Sequence, residues 1–190
     1  CIDSGGHHTH QVYAFAREHK AANVFAIKGQ SQRNKPIIGR PSKVDLNLKG
    51  KTLKKGAEVW PVGADTAKST IYSRLKLNEP GAGYVHFPAD LPPDYFQQLT
   101  AERLVTRYIR GFPVREWQKK SGARNEALDT FVYALAAMQL LYTRFNRRSI
   151  WEQLEGRAVP KSSKGGEGAN LRGKARSPTI PPRRSFVNDW

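Results

Sequence analysis

Two aspartates in apolar surroundings are the residues best suited to chemistry. Asp3 follows an apolar start and precedes two glycines, whereas Asp129 lies near the beginning of a long apolar helical pattern. Carboxylates at strand ends border the crevice in which α/β sheets bind ligands. Divalent cations prefer oxygen ligands, and a pair of ions can stabilise the attacking and leaving oxygens of a phosphodiester. The pattern predicts a metal site, although Asp3 also fits a turn and Asp129 also fits the positive end of a helix.

Two further acids are candidates for the remaining ligand position. Asp65 lies between an apolar strand pattern and a helix, where it also fits an N-cap. Glu126 precedes Asp129 by three residues on nearly the same helix face, so it is an alternate ligand or a neighbour of the ligands. An early strand-end aspartate with a late helical aspartate is also the pattern of RNase H-like nucleases. Any α/β domain of this length can contain it, so the pattern alone leaves both interpretations open.

Other catalytic motifs are weak or missing in the sequence. His7, His8 and His10 form a cluster after Asp3, but their spacing matches no zinc site, and we expect one of them to line the site. Neither GxxxxGK[ST] nor GxGxxG occurs, which predicts that the chain has no ATP site. No Ser/His/Asp or Cys/His set suggests a covalent mechanism.

The charge predicts a polyanionic partner. The 190 residues include 32 Lys and Arg against 16 Asp and Glu, a formal charge of +16. Nucleic acid is the commonest such partner. No apolar run is long enough for a transmembrane span, so we expect no membrane partner. A single cysteine, Cys1, favours an intracellular setting. The residues expected to contact phosphates are Lys28, Lys68, Arg115, Lys119, Lys120 and Arg124.

The patterning predicts an α/β fold followed by a basic tail. Residues 1–155 are expected to form one domain, and residues 156–190, rich in Gly, Pro, Ser and basic residues, a disordered tail. A basic loop or β-excursion is expected at 30–55, with alternating apolar residues in its second half. Helices are predicted over 9–20, 67–75, 94–99 with an extension to 103, and 126–145. Strands are predicted at the start and over 24–27, 58–62, 84–87, 104–109 and 113–117.

Several segments, in order, resemble the nuclease domain of lambda-type large terminase subunits of tailed phages. The resemblance covers about residues 1–145 and is carried by IDSGGHHT (2–9), QVYAF (11–15), VFAIKG (24–29), WPVGADTAK (60–68), IYSRL (71–75), GYVHFP (83–88), YFQQLTAE (95–102), REW (115–117) and RNEALD (124–129). Large subunits of this family join a packaging ATPase to a C-terminal, RNase H-like endonuclease. The resemblance therefore implies that this chain is the nuclease part alone, which fits the absent ATP motif and the start without Met.

The resemblance implies a two-metal endonuclease that cuts concatemeric viral DNA at genome ends during packaging in the host cytoplasm. Asp3 and Asp129 fall on the family's metal aspartates, and Asp65 or Glu126 is expected to complete the site for two Mg²⁺ or Mn²⁺ ions. A β-hairpin usual after the first strand is missing, because the chain turns directly into a helix. Implied partners are double-stranded DNA, the small terminase subunit, and the portal or procapsid.

Two alternatives remain open on the sequence. The first is a non-catalytic DNA-binding or portal-docking module, whose tail would bind a partner through Phe186 and Trp190. The second is a junction resolvase of similar fold, which would prefer branched DNA.

Overall fold

The structure is a computed structural model that describes residues 1–48, 50–146 and 149–158. The elements are β1 (Ile2–Asp3), α1 (Thr9–Glu18), β2 (Ala26–Gln30), β3 (Ser42–Leu48), β4 (Lys51–Gly63), α2 (Ala64–Arg74), α3 (Pro93–Leu99), β5 (Glu102–Ile109), β6 (Phe112–Lys119), α4 (Glu126–Arg144) and α5 (Ile150–Ala158). Within these ranges, no helix is both long and apolar enough to cross a membrane. The expected tail lies outside them from residue 159 onward.

The main sheet is mixed and has the strand order β1-β2-β4-β3. β1, β2 and β4 run parallel, and β3 pairs antiparallel with β4. Asp3 pairs with Ile27, which in turn pairs with Trp60. Parallel strands direct their carboxyl ends toward the same edge, so Asp3 lies at the edge where such sheets open a ligand crevice.

Helices cover both faces of this sheet, which confirms the α/β class. Ala26 and Val59 pack on one face with Tyr13 and Ala16 of α1. Ile27, one residue along β2, packs on the other face, because successive strand side chains alternate. The second core also contains Val62, Ala67, Ile71, Leu99, Leu128, Val132, Leu135 and Ala136. This second core fixes α2 and α4 beside the carboxyl edge of the strands.

β5 and β6 form a separate two-stranded hairpin. Ile109 pairs with Phe112 next to the turn, and Glu102 pairs with Lys119 at the base. Both turn residues have positive φ, 51° at Arg110 and 80° at Gly111. Consecutive positive φ values suit the twist of a two-residue hairpin turn, and glycine adopts them at little cost.

Most of the expected elements are present. α4 spans Glu126–Arg144, one residue shorter than the 126–145 predicted from its apolar repeat, and the extended segments 104–109 and 113–117 lie within β5 and β6. The basic segment 30–55 contains β3 and the start of β4, so the expected β-excursion is confirmed. β4 is much longer than the predicted 58–62, because its first half pairs with β3 as well.

Two predicted elements are wrong. Residues 84–87 form no strand. Phe87 instead packs its ring against Tyr95 and Phe96, so this segment is held by aromatic contacts rather than by pairing. The helix predicted over 94–99 does not continue to 103, because α3 ends at Leu99 and Glu102 already belongs to β5.

The bounds of strand β2 and the N-cap of α2 also differ from expectation. β2 spans 26–30 instead of 24–27, since its pairing with β4 continues to Gln30. Gly63, not Asp65, is the N-cap of α2. His8 is the N-cap of α1, and the hydroxyl of the next residue, Thr9, donates to the carbonyl oxygens of Ser4 and Gly6. Asn125 occupies the N-cap position of α4 without a capping hydrogen bond.

Candidate active site

Asp3 is held at the end of β1 by its neighbours. The Ser4 backbone N–H and hydroxyl both donate to the carbonyl oxygen of Ile27, at 2.9 and 2.7 Å, and Ser4 is buried. The Gly5 N–H donates to Asp3 Oδ1 at 3.0 Å. These contacts fix the strand end and orient the carboxylate, one face of which remains exposed to solvent.

Asp129 lies in the first turn of α4, beside the buried Leu128. Burial is the main cause that raises the pKa of Asp129 above its usual value. The charge of Lys68 acts to lower this pKa, whereas the charges of Glu102 and Asp3 raise it further. Because the charge of Asp3 reaches Asp129, the fold places within electrostatic range of each other two aspartates that the sequence separates by most of its described length.

Tyr133 connects these two aspartates, and the sequence analysis missed it. It lies one helical turn after Asp129 and donates a hydrogen bond to Asp3. Burial is the first cause that raises the pKa of the Tyr133 phenol, followed by the charge of Asp3 and its hydrogen bond. Tyr133 therefore remains protonated and keeps its role as donor. Its i+4 spacing from Asp129 was the signal available in the sequence.

Glu102 is a further carboxylate that the sequence analysis did not identify. It begins β5 and is only 7% exposed. Lys68 Nζ donates to its two carboxylate oxygens at 2.8 and 2.7 Å, and Asn125 Nδ2 donates to Oε1 at 2.8 Å. Asn125 Nδ2 also lies 3.1 Å from Asp129 Oδ2. Asn125 thus bridges Glu102 to Asp129, and no sequence signal indicated this role because residue 102 was assigned to a helix end.

Asp65 lies further along the sheet edge, in the first turn of α2. β1, which carries Asp3, and β4, which leads into Asp65, are separated by β2, so their backbones are roughly 10 Å apart across the sheet. Asp65 faces a cleft between α2 and the β5–β6 hairpin, together with Lys68, Glu102 and Arg115. Asp65 therefore shares a cleft with Glu102 instead of lying against Asp3.

Glu126 has a different environment from Asp129. Its side chain is 60% exposed and lies 3.3 Å from the Nε of Arg124. Its pKa is lowered, first by a hydrogen bond from its own backbone N–H and also by the charge of Arg124. Glu126 is an exposed, paired carboxylate at the helix N-terminus.

The expected phosphate-binding residues fall into two groups, those whose side chains are paired within the protein and those whose side chains are exposed. Lys68 is engaged by the buried Glu102, so its charge is already compensated. Lys119 Nζ donates to Asn125 Oδ1 at 3.2 Å, and Arg124 is paired with Glu126. Lys28, Arg115 and Lys120 have exposed side chains. Of these three, Arg115 lines the cleft that contains Asp65 and Glu102.

The histidine cluster after Asp3 lies at the start of α1, where His7 and His8 precede the helix and His10 belongs to its first turn. His8 Nδ1 lies 2.7 Å from Gln11 Oε1, and the Asn47 N–H donates to His10 Nδ1 at 3.3 Å. His7 is exposed. His8 and His10 therefore have partners away from the two aspartates.

The carboxylates around Asp129 meet some of the requirements of a divalent-cation site. Across residues 1–48, 50–146 and 149–158, no group of three His, Cys, Asp or Glu side chains is arranged to hold a metal ion. The charges of Asp3 and Glu102 nevertheless both act on Asp129, opposed by those of Lys68 and Lys119, so three carboxylates share this region with two cations and leave surplus negative charge. A cation between Asp3 and Asp129 would compensate that charge with oxygen ligands, as Mg²⁺ and Mn²⁺ require.

Comparison with known proteins gives consistent matches. A family model described as the endonuclease domain of the terminase large subunit gpA matches residues 1–151. The large terminase subunit of Escherichia phage lambda is 40% identical over 154 residues, and that of Enterobacteria phage P21 is 34% identical over 155 residues. Each alignment covers 76% of this chain and 22% of the relative, so the chain spans about a fifth of either protein. No solved structure matches. Since the family model covers most of the chain, the chain belongs to the gpA endonuclease-domain family of terminase large subunits.

Proposed function

We propose that this domain is a metal-dependent endonuclease that cuts concatemeric viral DNA at genome ends during packaging. The observation that carries the proposal is the convergence of Asp3 and Asp129 at the carboxyl edge of a parallel sheet, in a chain of this family. We also propose an RNase H-like fold, with a strand-end aspartate and a helical aspartate at one site. Double-stranded DNA is the substrate that the charge of +16 favours.

Asp3 and Asp129 are the proposed ligands of Mg²⁺ or Mn²⁺. Tyr133 orients Asp3 by its hydrogen bond, and Asn125 orients Asp129. Hydrogen bonds of this kind set the direction of ligand oxygens and affect metal affinity. A bound divalent cation would supply Lewis-acid stabilisation of the negative charge that develops on the phosphate.

The third carboxylate is proposed among Glu102, Asp65 and Glu126. Glu102 is favoured because Asn125 links it directly to Asp129. Asp65 lies in the neighbouring cleft, where a second ion and Glu102 would be within its reach. Glu126 is disfavoured because it is exposed and paired with Arg124. Lys68 already donates to both carboxylate oxygens of Glu102, so a metal ion held by Glu102 would share those oxygens with Lys68.

The basic side chains are proposed to hold DNA beside these carboxylates. Arg115 lines the cleft that contains Asp65 and Glu102, and Lys119 borders Asn125. Lys28, Lys120 and Arg124 would contact phosphates further from the site. In the complete protein we propose the small terminase subunit and the portal or procapsid as partners, with activity in the host cytoplasm.

Plasmid nicking tests the proposal directly. The domain should convert supercoiled plasmid to nicked and linear forms in Mg²⁺ or Mn²⁺, and not in EDTA. Asp129→Asn should reduce nicking by at least 100-fold while DNA binding is retained. The matched control is Asp90→Asn, since Asp90 is exposed and lies outside the site. Equal nicking by wild type and Asp129→Asn would contradict the proposed site.

A second candidate is a non-catalytic DNA-binding and portal-docking module. It is favoured by the charge of +16 and by the exposed side chains of Lys28, Arg115 and Lys120, which would bind phosphates without a metal. This module would bind DNA equally with and without metal and would cut it under neither condition. The nicking assay therefore separates the two functions.

A further inference from the structure

The β5–β6 hairpin has a firmly held base and an exposed apolar tip. At the base, Glu102 is bound by Lys68, and the Trp117 ring packs against Tyr72 with centroids 4.7 Å apart. At the tip, Tyr108 is 76% exposed, Phe112 73% and Ile109 52%. Single exposed apolar residues are common, but a cluster of two aromatics and an isoleucine at one projecting turn indicates an interaction surface.

The strand register places the tip residues on both faces of the ribbon. Ile109 and Phe112 are directly paired and share one face, while Tyr108 lies on the other. The apolar surface therefore wraps the end of the hairpin instead of forming a flat patch. This shape fits a groove or a gap between stacked rings better than a planar protein surface.

The charge of the hairpin favours nucleic acid as the partner. Its cations are Arg103, Arg107, Arg110, Arg115 and Lys119, whereas its acids, Glu102 and Glu116, are paired with Lys68 and Arg107. The Arg107–Glu116 distance is 2.7 Å. Arginines beside exposed aromatic rings are the combination that binds phosphates and stacks on bases.

The two strands of the hairpin begin next to the candidate active site, which connects the apolar tip to that site. Glu102 touches the network of Asn125 and Asp129, and Arg115 lines the adjoining cleft. From Glu102 to Ile109 the strand extends about 24 Å, the length of roughly seven base pairs along one strand of DNA. DNA whose phosphate lies at the carboxylates would therefore reach the hairpin within one helical turn.

We propose that the β5–β6 hairpin is a DNA-binding arm, in which the arginines contact the backbone and Tyr108 and Phe112 stack on bases near the cut site. The proposal rests on the proposed function, because it assumes that DNA is bound at the carboxylates. It assigns a positioning role to the tip. The tip residues take no part in the chemistry.

Fluorescence anisotropy with a labelled 25-base-pair duplex in EDTA tests the proposal without any need for cutting. Tyr108→Ala combined with Phe112→Ala should weaken binding by about 5-fold to 100-fold, because the two rings no longer insert between base steps of the duplex and stack on the bases that they separate. The dependence of affinity on salt should keep its slope, because aromatic contacts release no counterions. Trp151→Ala is the control, since Trp151 is 61% exposed and lies on α5, away from the hairpin.

Arg110→Gln provides the complementary variant. Loss of one phosphate contact at the turn should reduce the salt slope by about one. All the substituted side chains are exposed, and unchanged circular dichroism and melting temperature would show that the variants fold. Unchanged affinity in the tip variant, or a wild type that does not bind the duplex, would overturn the proposal. Nicking assays on the same proteins test the proposed function separately. If the proposed function is wrong, the wild type will bind the duplex and never cut DNA, whatever the tip variant does.

Discussion

Lys68 Nζ lies 2.7 and 2.8 Å from the two carboxylate oxygens of Glu102, and both side chains are largely buried, at 13% and 6% exposure. The pair connects α2 to the first residue of the hairpin. Removing one partner leaves the other as an uncompensated charge in the interior. The pair therefore determines how the hairpin and its cleft are attached to the body of the domain.

Lys68→Met should lower the free energy of unfolding by about 3–5 kcal/mol, because Glu102 is left buried without its cation. Chemical denaturation measures the loss. Adding Glu102→Gln to Lys68→Met should recover much of it, since the buried charge is then removed as well. Lys20→Met is the control: Lys20 pairs with Glu58 at 3.1 Å on the surface, and its loss should cost less than about 1 kcal/mol. Equal effects of the two lysine variants would contradict this account.

Tyr133→Phe should weaken the binding of Mn²⁺ by about 10-fold or more, because Asp3 loses the hydrogen bond that orients it. The measurement is the Mn²⁺ concentration that gives half-maximal nicking, together with direct titration of Mn²⁺ by calorimetry. Tyr84→Phe removes a hydroxyl outside the site and should leave both values unchanged. An unaltered Mn²⁺ requirement in Tyr133→Phe would show that the hydrogen bond has no part in the site.

Gly63→Ala should destabilise the domain by about 1–3 kcal/mol and displace the start of α2. A Cβ at Gly63 would lie 2.5 Å from the backbone oxygen of Pro36 and 2.6 Å from that of Lys35, so the basic segment would have to move. Gly29→Ala is the matched control, because a Cβ there meets nothing within 4 Å. Thermal melting of the two variants, compared with wild type, checks the difference.

The sequence predicted the parts of the fold that depend on local pattern. The apolar repeat of α4 located Asp129, and the turn at Gly5 and Gly6 located Asp3 at a strand end. These are short-range signals of periodicity and turn chemistry. The convergence of Asp3 and Asp129 was implied by the family resemblance, since no local pattern fixes which distant residues meet.

Glu102 and Tyr133 could not be predicted in the same way. Glu102 becomes buried only because Lys68 and Asn125 reach it from two different helices, and such partners are set by tertiary packing. Its strand was hidden by the apparent continuation of α3 beyond Thr100. Similarly, the local sequence predicts Asp65 as a cap, whereas Gly63 takes that position because β4 continues to it.

Asp45 should titrate at lower pH in the folded domain than in the unfolded chain. A hydrogen bond from the Lys55 N–H, 2.8 Å from Oδ1, is the first cause that lowers its pKa below 3.8, and Lys54 adds a second bond. A depressed pKa means that the unfolded state binds the proton more readily, so Asp45 stabilises the β3–β4 hairpin above pH 3.8. That contribution is lost as the pH falls through the folded pKa. In an NMR titration, the Lys55 amide shift should therefore change with a midpoint below 3.8, and Asp45→Asn should abolish the change. A midpoint above that value would contradict the role of the Lys55 hydrogen bond.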